Sequence, residues 1–397
     1  MKARRLAILC THPIQYHSGW FKALAAQPKI DLEVLFCRTA TSAEQAAAGF
    51  AVEFDWDVAL LDGYQYRFLK NIARNPSVAR FSGLDTPELL SVIERETFDA
   101  VIIIGWHYKS AWQALWACWK TKTPVMMRSD SNLHTERSLA KKIVKKPFYS
   151  WFIPKLDACL PVGTWSRDYF LHYGARPDRI FIVPHVVDVD FFRKEAESWR
   201  PRRSELRRRW HLVEDATVFL FAGKFIPKKR PLDFVHAIAS ANSNGNRIMG
   251  LMVGDGPLRA ACEETVRVTT APIRFAGFLN QSEIPSAYSV ADALVLPSDG
   301  GETWGLVVNE AMASGRPSLV SDRVGCGPEL IVPGETGEIF ACGDTRRLAS
   351  LLGSYGKQRD RLKEMGVEAE QKTTQHVAAA VRAVISALDA VNQDARK

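Results

Sequence analysis

The strongest constraint on the fold is a recurring pattern in which short, continuous apolar runs alternate with segments of helical period. In the first half the runs are RLAILC (5–10), LEVLF (32–36), AVIIIG (100–105), PVMMR (124–128), ACLPV (158–162) and IFIVP (180–184). In the second half they are TVFLFAGK (217–224), IMGLMVGDG (248–256), IRFAGF (273–278), ALVLPS (293–298) and PSLVSD (317–322). Runs of this length without polar alternation suit strands covered on both faces, as in parallel sheets. Segments 20–26, 110–120 and 165–173 between them read as helices. The charged stretch RKEAESWRPRRSELRRRW (193–210) breaks the rhythm and leaves two such series. Two strand–helix series joined by a linker predict an α/β protein with two doubly wound domains. In the tail, Val377, Val381, Val384 and Leu388 form one apolar stripe at helical spacing.

A chain of 397 residues has ample core for two or three domains. No apolar run approaches the roughly 18–20 residues of a membrane span. The start, MKARRLAILCTHP, is interrupted at His12 and Pro13 before a signal-like apolar region forms, so it reads as a first strand. Seven scattered cysteines without a Cys-x-x-Cys pair predict reduced thiols in a cytoplasmic protein. The net charge of +8 implies anionic partners. No nucleic-acid module and no basic stripe with repeated aromatics is present, which leaves phosphorylated small molecules and anionic membrane.

Chemistry concentrates in ETWGLVVNEAMASGRP (302–317). Glu302 lies in a polar loop, and Glu310 falls in the second turn of a helix starting near Gly305, on a face with Leu306 and Ala313. A carboxylate on an apolar face is costly unless hydrogen-bonded. The flanking runs place the pair at the carboxyl edge of a parallel sheet, where open α/β folds bind ligands. A solvated surface glutamate is the plain alternative. AGKFIPKKRP (222–231) is a basic strand-to-helix loop without the glycine spacing or ending of a Walker P-loop. VGDGPLR (253–259) lacks a third glycine and reads equally as a tight turn. Asp188 and Asp190 form an Asp-x-Asp string, for which a structural role is favoured over metal binding, and no metal-ligand spacing occurs.

From Glu302 to Pro317 the sequence resembles the Glu-x7-Glu motif of the retaining glycosyltransferases of family 4, with Trp304 in place of the usual Phe. The likeness extends over most of the chain. It implies a GT-B fold of two Rossmann-like domains facing across a cleft. Residues 1–192 would form the acceptor-binding domain, 193–212 the linker and 213–375 the nucleotide-sugar domain, with 376–397 returning to the first domain. It further implies that Glu302 binds sugar hydroxyls and Glu310 the ribose. Lys224 stands where the family has Arg, and with Lys229 it would hold the diphosphate. Gly223, Gly254, Thr303, Trp304, Gly305 and Leu306 would border the donor, and Gly277 and Phe278 its base. The co-substrate would be a UDP or GDP type sugar, with no cofactor and no metal. The reaction would be a front-face displacement in which the leaving diphosphate helps deprotonate the acceptor hydroxyl.

In the first half, THPIQYHSGWF follows the first strand, with His12 and His17 read as loop residues that suit binding of the acceptor or a phosphate and equally suit a structural role. Only Gly19 stands for the family's Gly-Gly pair. His107 ends the run AVIIIGW and is a further acceptor-side candidate, while Asp130 occupies the position of a family histidine near the reacting centre. The resemblance implies a hexosyltransferase acting on a glycan or lipid-linked acceptor in cell-surface polysaccharide or glycoconjugate biosynthesis. A sugar-nucleotide epimerase or hydrolase on the same fold, or a silent sugar-nucleotide-binding or glycan-binding protein, are the alternatives. RSLAKKIVKKPFYSW (137–151), with Lys141, Lys142, Lys145 and Lys146 before Phe148, Tyr149, Trp151 and Phe152, reads as a basic helix ended by Pro147. Such a segment suits peripheral contact with anionic lipid, as it suits an ordinary solvated face.

Overall fold

The protein is described from a computed structural model over residues 3–39, 55–135, 139–242 and 247–394. Twelve strands occur among these residues. They are β1 (Arg4–Cys10), β2 (Ile30–Phe36), β3 (Gln65–Phe68), β4 (Ala100–Ile104), β5 (Val125–Ser129) and β6 (Ala158–Pro161). The second set is β7 (Thr217–Ala222), β8 (Ile248–Val253), β9 (Ile273–Gly277), β10 (Ala293–Leu296), β11 (Ser318–Ser321) and β12 (Gly337–Phe340). They form two six-stranded sheets, ordered β3-β2-β1-β4-β5-β6 and β12-β11-β10-β7-β8-β9. Every strand pair in them is parallel.

The described residues divide into two compact units. The first holds 3–39, 59–135, 139–187 and 376–394; the second holds 55–58, 188–242 and 247–375. Each is an α/β body of the doubly wound kind. The apolar runs become strands because helices cover both sheet faces, so β7 and β8 are buried at every residue. In the first unit one core lies under helix Lys109–Thr121 and helix Thr164–His172. The other lies under helix Gln15–Ala25 and the tail helix Arg359–Asp394. Val381, Val384 and Leu388 of the tail bury against β1 and β2 residues as the stripe predicts. Arg4 seals that contact by donating to the Leu388 carbonyl at 2.9 Å and pairing with Asp389 at 2.8 Å.

Several expectations change. IFIVP forms no strand beyond a bridge of Ile180 to Cys159, although Phe181 N and Val183 N donate to Cys159 and Pro161 carbonyls. Pro161 and Pro184 have no N–H to give, so the ladder stops there. The charged stretch from 193, read as the linker, is helical. It belongs to helix Val189–Trp199, a short 3-10 turn and helix Arg203–Arg209. Val189, Phe192 and Leu206 bury while most of the charges stay in solvent. Asp188 caps the first of these helices through Phe191 N at 3.1 Å and Asp190 pairs with Arg193, which gives both acids of the Asp-x-Asp string structural duties. Helix Leu139–Phe152 runs through Pro147, which is solvent-exposed, where water can replace the missing hydrogen bond. The side chains of Lys141 and Lys142 lie outside the described residues. β3 and β12 escape the sequence pattern because both are short edge strands with mixed burial.

Candidate active site

In the second sheet the strand order reverses between β7 and β10, which are neighbours although far apart in sequence. Open parallel sheets place their ligand crevice at the carboxyl ends of strands flanking such a reversal. The loops that leave β7 and β10 there are the lysine loop and the Glu302 loop. They are tied together: Asp299 N donates to the Lys228 carbonyl at 2.8 Å, and Lys228 Nζ donates to the Gly301 carbonyl at 3.3 Å. The floor beside them is backbone. Gly254 (φ 121°) lies so close to Gly223 that a Cβ there would stand 2.0 Å from the Gly223 carbonyl oxygen. Gly223 N and Gly254 N donate to the Val253 and Gly277 carbonyls, which locks the ends of β7, β8 and β9 together.

Glu302 is buried and paired with Lys229, and Ser298 Oγ donates to it at 3.3 Å. Burial alone would raise its carboxyl, but the charges of Lys229 and Lys228 and the two hydrogen bonds outweigh burial and hold it below the ordinary range. Glu302 is therefore an anion at neutral pH. Lys224 stands partly buried beside the same group. Burial, with the charges of Lys228 and Lys229, brings its ammonium down to about 8.

Glu310 sits where its helix period predicts. The helix spans Leu306–Ala313 and opens on Gly305, whose φ of 100° only glycine adopts readily. Val308, Ala311, Met312 and Ala313 bury the helix, and Glu310 is carried inside with them. The Tyr288 hydroxyl donates to its Oε2 at 2.7 Å. Burial dominates and pushes Glu310 up to about 7, against the opposing Tyr288 hydrogen bond and Lys229 charge. Two buried carboxylates that both feel the Lys229 charge are thus set to different acidities, one anionic and one poised near neutrality. Trp304 packs below the loop, 3 % exposed, with Nε1 donating to Asn309 Oδ1 at 2.8 Å. Thr303, Gly277 and Phe278 are half-buried at the neighbouring strand ends.

Reading the sequence missed Lys228, Tyr288 and Ser298. A third lysine in the loop was a visible signal for Lys228. Nothing local marks Tyr288 or Ser298, since their importance comes from the carboxylate each meets. Arg259 was also missed; it lies 4.4 Å over the Phe275 ring and points Nη1 toward the Gly254 carbonyl at 3.5 Å.

The first unit gathers its candidates at the carboxyl edge of its own sheet. His17 and Gly19 are not loop residues but lie in helix Gln15–Ala25, because the buried set Trp20, Phe21 and Leu24 extends the helix back to Gln15. His17 is 4 % exposed, meets Cys10 Sγ at 3.3 Å and stacks at 6.3 Å from His185. Burial, then the Arg128 charge, keeps both imidazoles neutral. Arg128 itself is buried over the Trp20 ring at 4.6 Å and donates to the Pro184 carbonyl at 3.1 Å. His12 Nδ1 meets Thr11 Oγ1 at 2.9 Å. His107 lies three residues beyond β4, not at its end, and is exposed, as is Asp130 just past β5. Asp130 is near enough for its charge to act on Arg128, Tyr16 and His107. His17 is thus the acceptor-side candidate that the structure withdraws into the core. Among the described residues no group of three or more His, Cys, Asp or Glu side chains is placed to hold a metal.

Comparison with known proteins agrees with this geometry. Residues 202–372 match the sequence model of Glycosyl transferases group 1, and residues 22–191 match that of Glycosyltransferase Family 4. The chain is 29% identical over 296 residues to the D-inositol 3-phosphate glycosyltransferase of Corynebacterium efficiens, covering 72% of this chain and 68% of that protein. Two further relatives, the D-inositol 3-phosphate glycosyltransferase of Streptomyces scabiei and the alpha-D-kanosaminyltransferase of Streptomyces kanamyceticus, are matched over 45% and 59% of their own length. Among solved structures, a glycosyltransferase from Rickettsia africae superposes with a TM-score of 0.74 at 15% identity, covering 98% of this chain and 99% of that one. Anabaena Alr3699/HepE in complex with UDP-glucose superposes with a TM-score of 0.68 at 15% identity, covering 97% and 99%. With its two parallel α/β units and its paired carboxylates at the reversal of strand order, the chain is a glycosyltransferase of family 4, with the GT-B fold.

Proposed function

We propose that this transferase moves a hexose, with retention of configuration, from a UDP or GDP sugar to a glycan or lipid-linked acceptor, in the assembly of cell-surface polysaccharide or glycoconjugate. The observation that carries the reading is the coupling of Glu302 to Lys229 at the strand reversal, beside Lys224, Lys228 and Glu310. Lys229 has three N–H donors, so it can hold Glu302 and still meet a phosphate oxygen. As the bond from the sugar C1 to the diphosphate oxygen breaks, negative charge grows on the diphosphate, and the loop ammonium groups stabilise it where it forms. The acceptor oxygen bonds to C1 on the same face, and its proton passes to the departing phosphate oxygen. Glu302 would accept from sugar hydroxyls and Glu310 from the ribose. A Lys at position 224 supplies a point charge rather than the bidentate fork of an arginine. The reaction so written needs no metal or cofactor.

The UDP-glucose complex of the Anabaena neighbour supports a nucleotide-sugar donor. The test is binding of a panel of nucleotide sugars, followed by transfer of radiolabel from the one that binds. Binding without transfer to any glycan or lipid-linked acceptor would favour a silent sugar-nucleotide-binding protein, and release of free sugar would favour a hydrolase.

A second reading concerns location. In the first unit Phe148, Trp151 and Trp116 are 45%, 50% and 55% exposed. Lys155 Nζ lies 3.9 Å over the Trp151 ring, Lys120 lies 5.6 Å over Trp116, and Lys146 is exposed nearby. Exposed indole rings interleaved with lysines suit an anionic membrane surface. Tyr149 and Phe152 take no part, being buried in the core. No helix among the described residues is long and apolar enough to cross a membrane.

A further inference from the structure

The second unit has a cavity of about 430 Å³ at the edge of the sheet opposite the lysine loop. Its floor includes Asp292, immediately before β10, and Arg316, just before β11, whereas Lys224 and Glu302 follow the carboxyl ends of β7 and β10. Six cationic and three acidic residues line it. The central acid is already committed. Asp292 Oδ1 accepts from Arg203 at 3.0 Å and Arg359 at 3.5 Å, and Oδ2 from Arg207 at 3.3 Å and Val218 N at 2.8 Å. A carboxylate has about four lone-pair sites, so Asp292 has no capacity left for a further guanidinium.

The remaining positive charge is not explained by holding the fold together. Arg316 is partly buried, and among the described residues its side chain donates only to the Ser289 carbonyl, at 3.4 Å. Its Nε and that of Arg359 are buried and meet no acceptor among the described residues. Arg200, on the cavity wall, makes no ion pair among the described residues. Burial and the neighbouring charges of Arg203, Arg200 and Arg207 lower Arg316 to about 10, against the opposing pull of Asp292. Guanidinium groups gathered in a concave site, with donors to spare, are what recognises phosphate oxygens. A volume of this size suits a small molecule.

We propose that this cavity is a second anion site, taking a soluble phosphate-bearing ligand through Arg200, Arg316 and Arg359. It stands independently of the proposed donor site. Its wall includes Ser314 and Gly315, which close the helix carrying Glu310. Ser314 N and Oγ both donate to the Glu310 carbonyl, at 3.0 and 2.9 Å, so a ligand here would touch the far end of that helix.

The test titrates inorganic pyrophosphate into the full chain and three variants. Arg316→Gln removes a cavity cation. Val367→Glu places a carboxylate in the wall at a position that is 56% exposed and tolerant of change. Lys229→Gln removes a lysine-loop cation, with Glu302 losing its partner, and leaves every cavity residue unchanged. Binding is expected to survive Lys229→Gln and to weaken at least tenfold in both cavity variants. If Arg316→Gln melts early, Val367→Glu alone decides. Unchanged binding in the cavity variants overturns the proposal, and so does binding abolished by Lys229→Gln, which would put the pyrophosphate in the lysine loop. Sedimentation with phosphatidic acid vesicles, without binding of free pyrophosphate, would overturn the soluble ligand in favour of a lipid headgroup.

Discussion

Glu310→Gln separates what this carboxylate costs the fold from what it contributes to the site. In the fold its proton is held up to about 7, against 4.5 for the free group, because burial opposes the charge. At about 1.4 kcal/mol per pH interval, ionising it inside the folded protein costs about 3 kcal/mol. Between pH 4.5 and 7 the folded state keeps a proton that the unfolded chain has released. Stability therefore falls as pH rises through that window, and the cost is complete above it. Glutamine keeps an acceptor for the Tyr288 hydroxyl, which now donates at 2.7 Å, and carries no charge. The assay is urea unfolding of wild type and variant at pH 5, 6, 7 and 8. The variant should gain relative to wild type as pH rises, by about 3 kcal/mol at pH 8. Nucleotide binding should weaken at the same pH, since a neutral amide accepts a weaker hydrogen bond than a carboxylate. A stability difference that stays flat with pH, or a variant less stable at pH 8 than wild type, would refute the burial argument.

Glu302→Gln should cut turnover far more than it weakens nucleotide binding, measured by transfer rate against donor affinity; Glu310→Ala should do the reverse, losing about 1–3 kcal/mol of binding. Lys229→Ala should weaken nucleoside diphosphates more than monophosphates and destabilise the fold by about 3–5 kcal/mol, because Glu302 is left as a buried charge. Equal loss for mono- and diphosphates would remove the phosphate role. Lys224→Arg should be tolerated, and it should extend diphosphate binding to higher pH, since Lys224 loses its proton near 8; activity should persist in EDTA. Gly254→Ala should unfold the second unit at lower urea, because its methyl would meet the Gly223 carbonyl oxygen at 2.0 Å. Trp151→Ser and Lys155→Gln together should reduce sedimentation with anionic vesicles, a binding that should fall with salt; equal sedimentation with neutral vesicles would leave this face as ordinary surface.

The sequence by itself determined the class of fold and the place of the two buried carboxylates, Glu302 and Glu310. Continuous apolar runs identified ten of the twelve strands, because a strand covered on both faces must be apolar throughout. The spacing of Glu302, Gly305 and Glu310 placed a carboxylate inside a buried helix, because helical period and glycine's freedom at positive φ are local properties. Edge strands β3 and β12 lack that signature, since solvent on one side relaxes the need for apolar residues. Tertiary structure alone decided which charges meet. Lys229 and Glu302 are far apart in sequence and become partners only because β7 and β10 lie side by side. Tyr288 reaches Glu310, and four arginines surround Asp292, by the same packing of distant segments. His17 looked like an exposed loop ligand until the helix turned it into the core. Secondary structure follows from neighbours in the chain, whereas acidity, pairing and access follow from neighbours in space, whose identity depends on how the strands are ordered in each sheet.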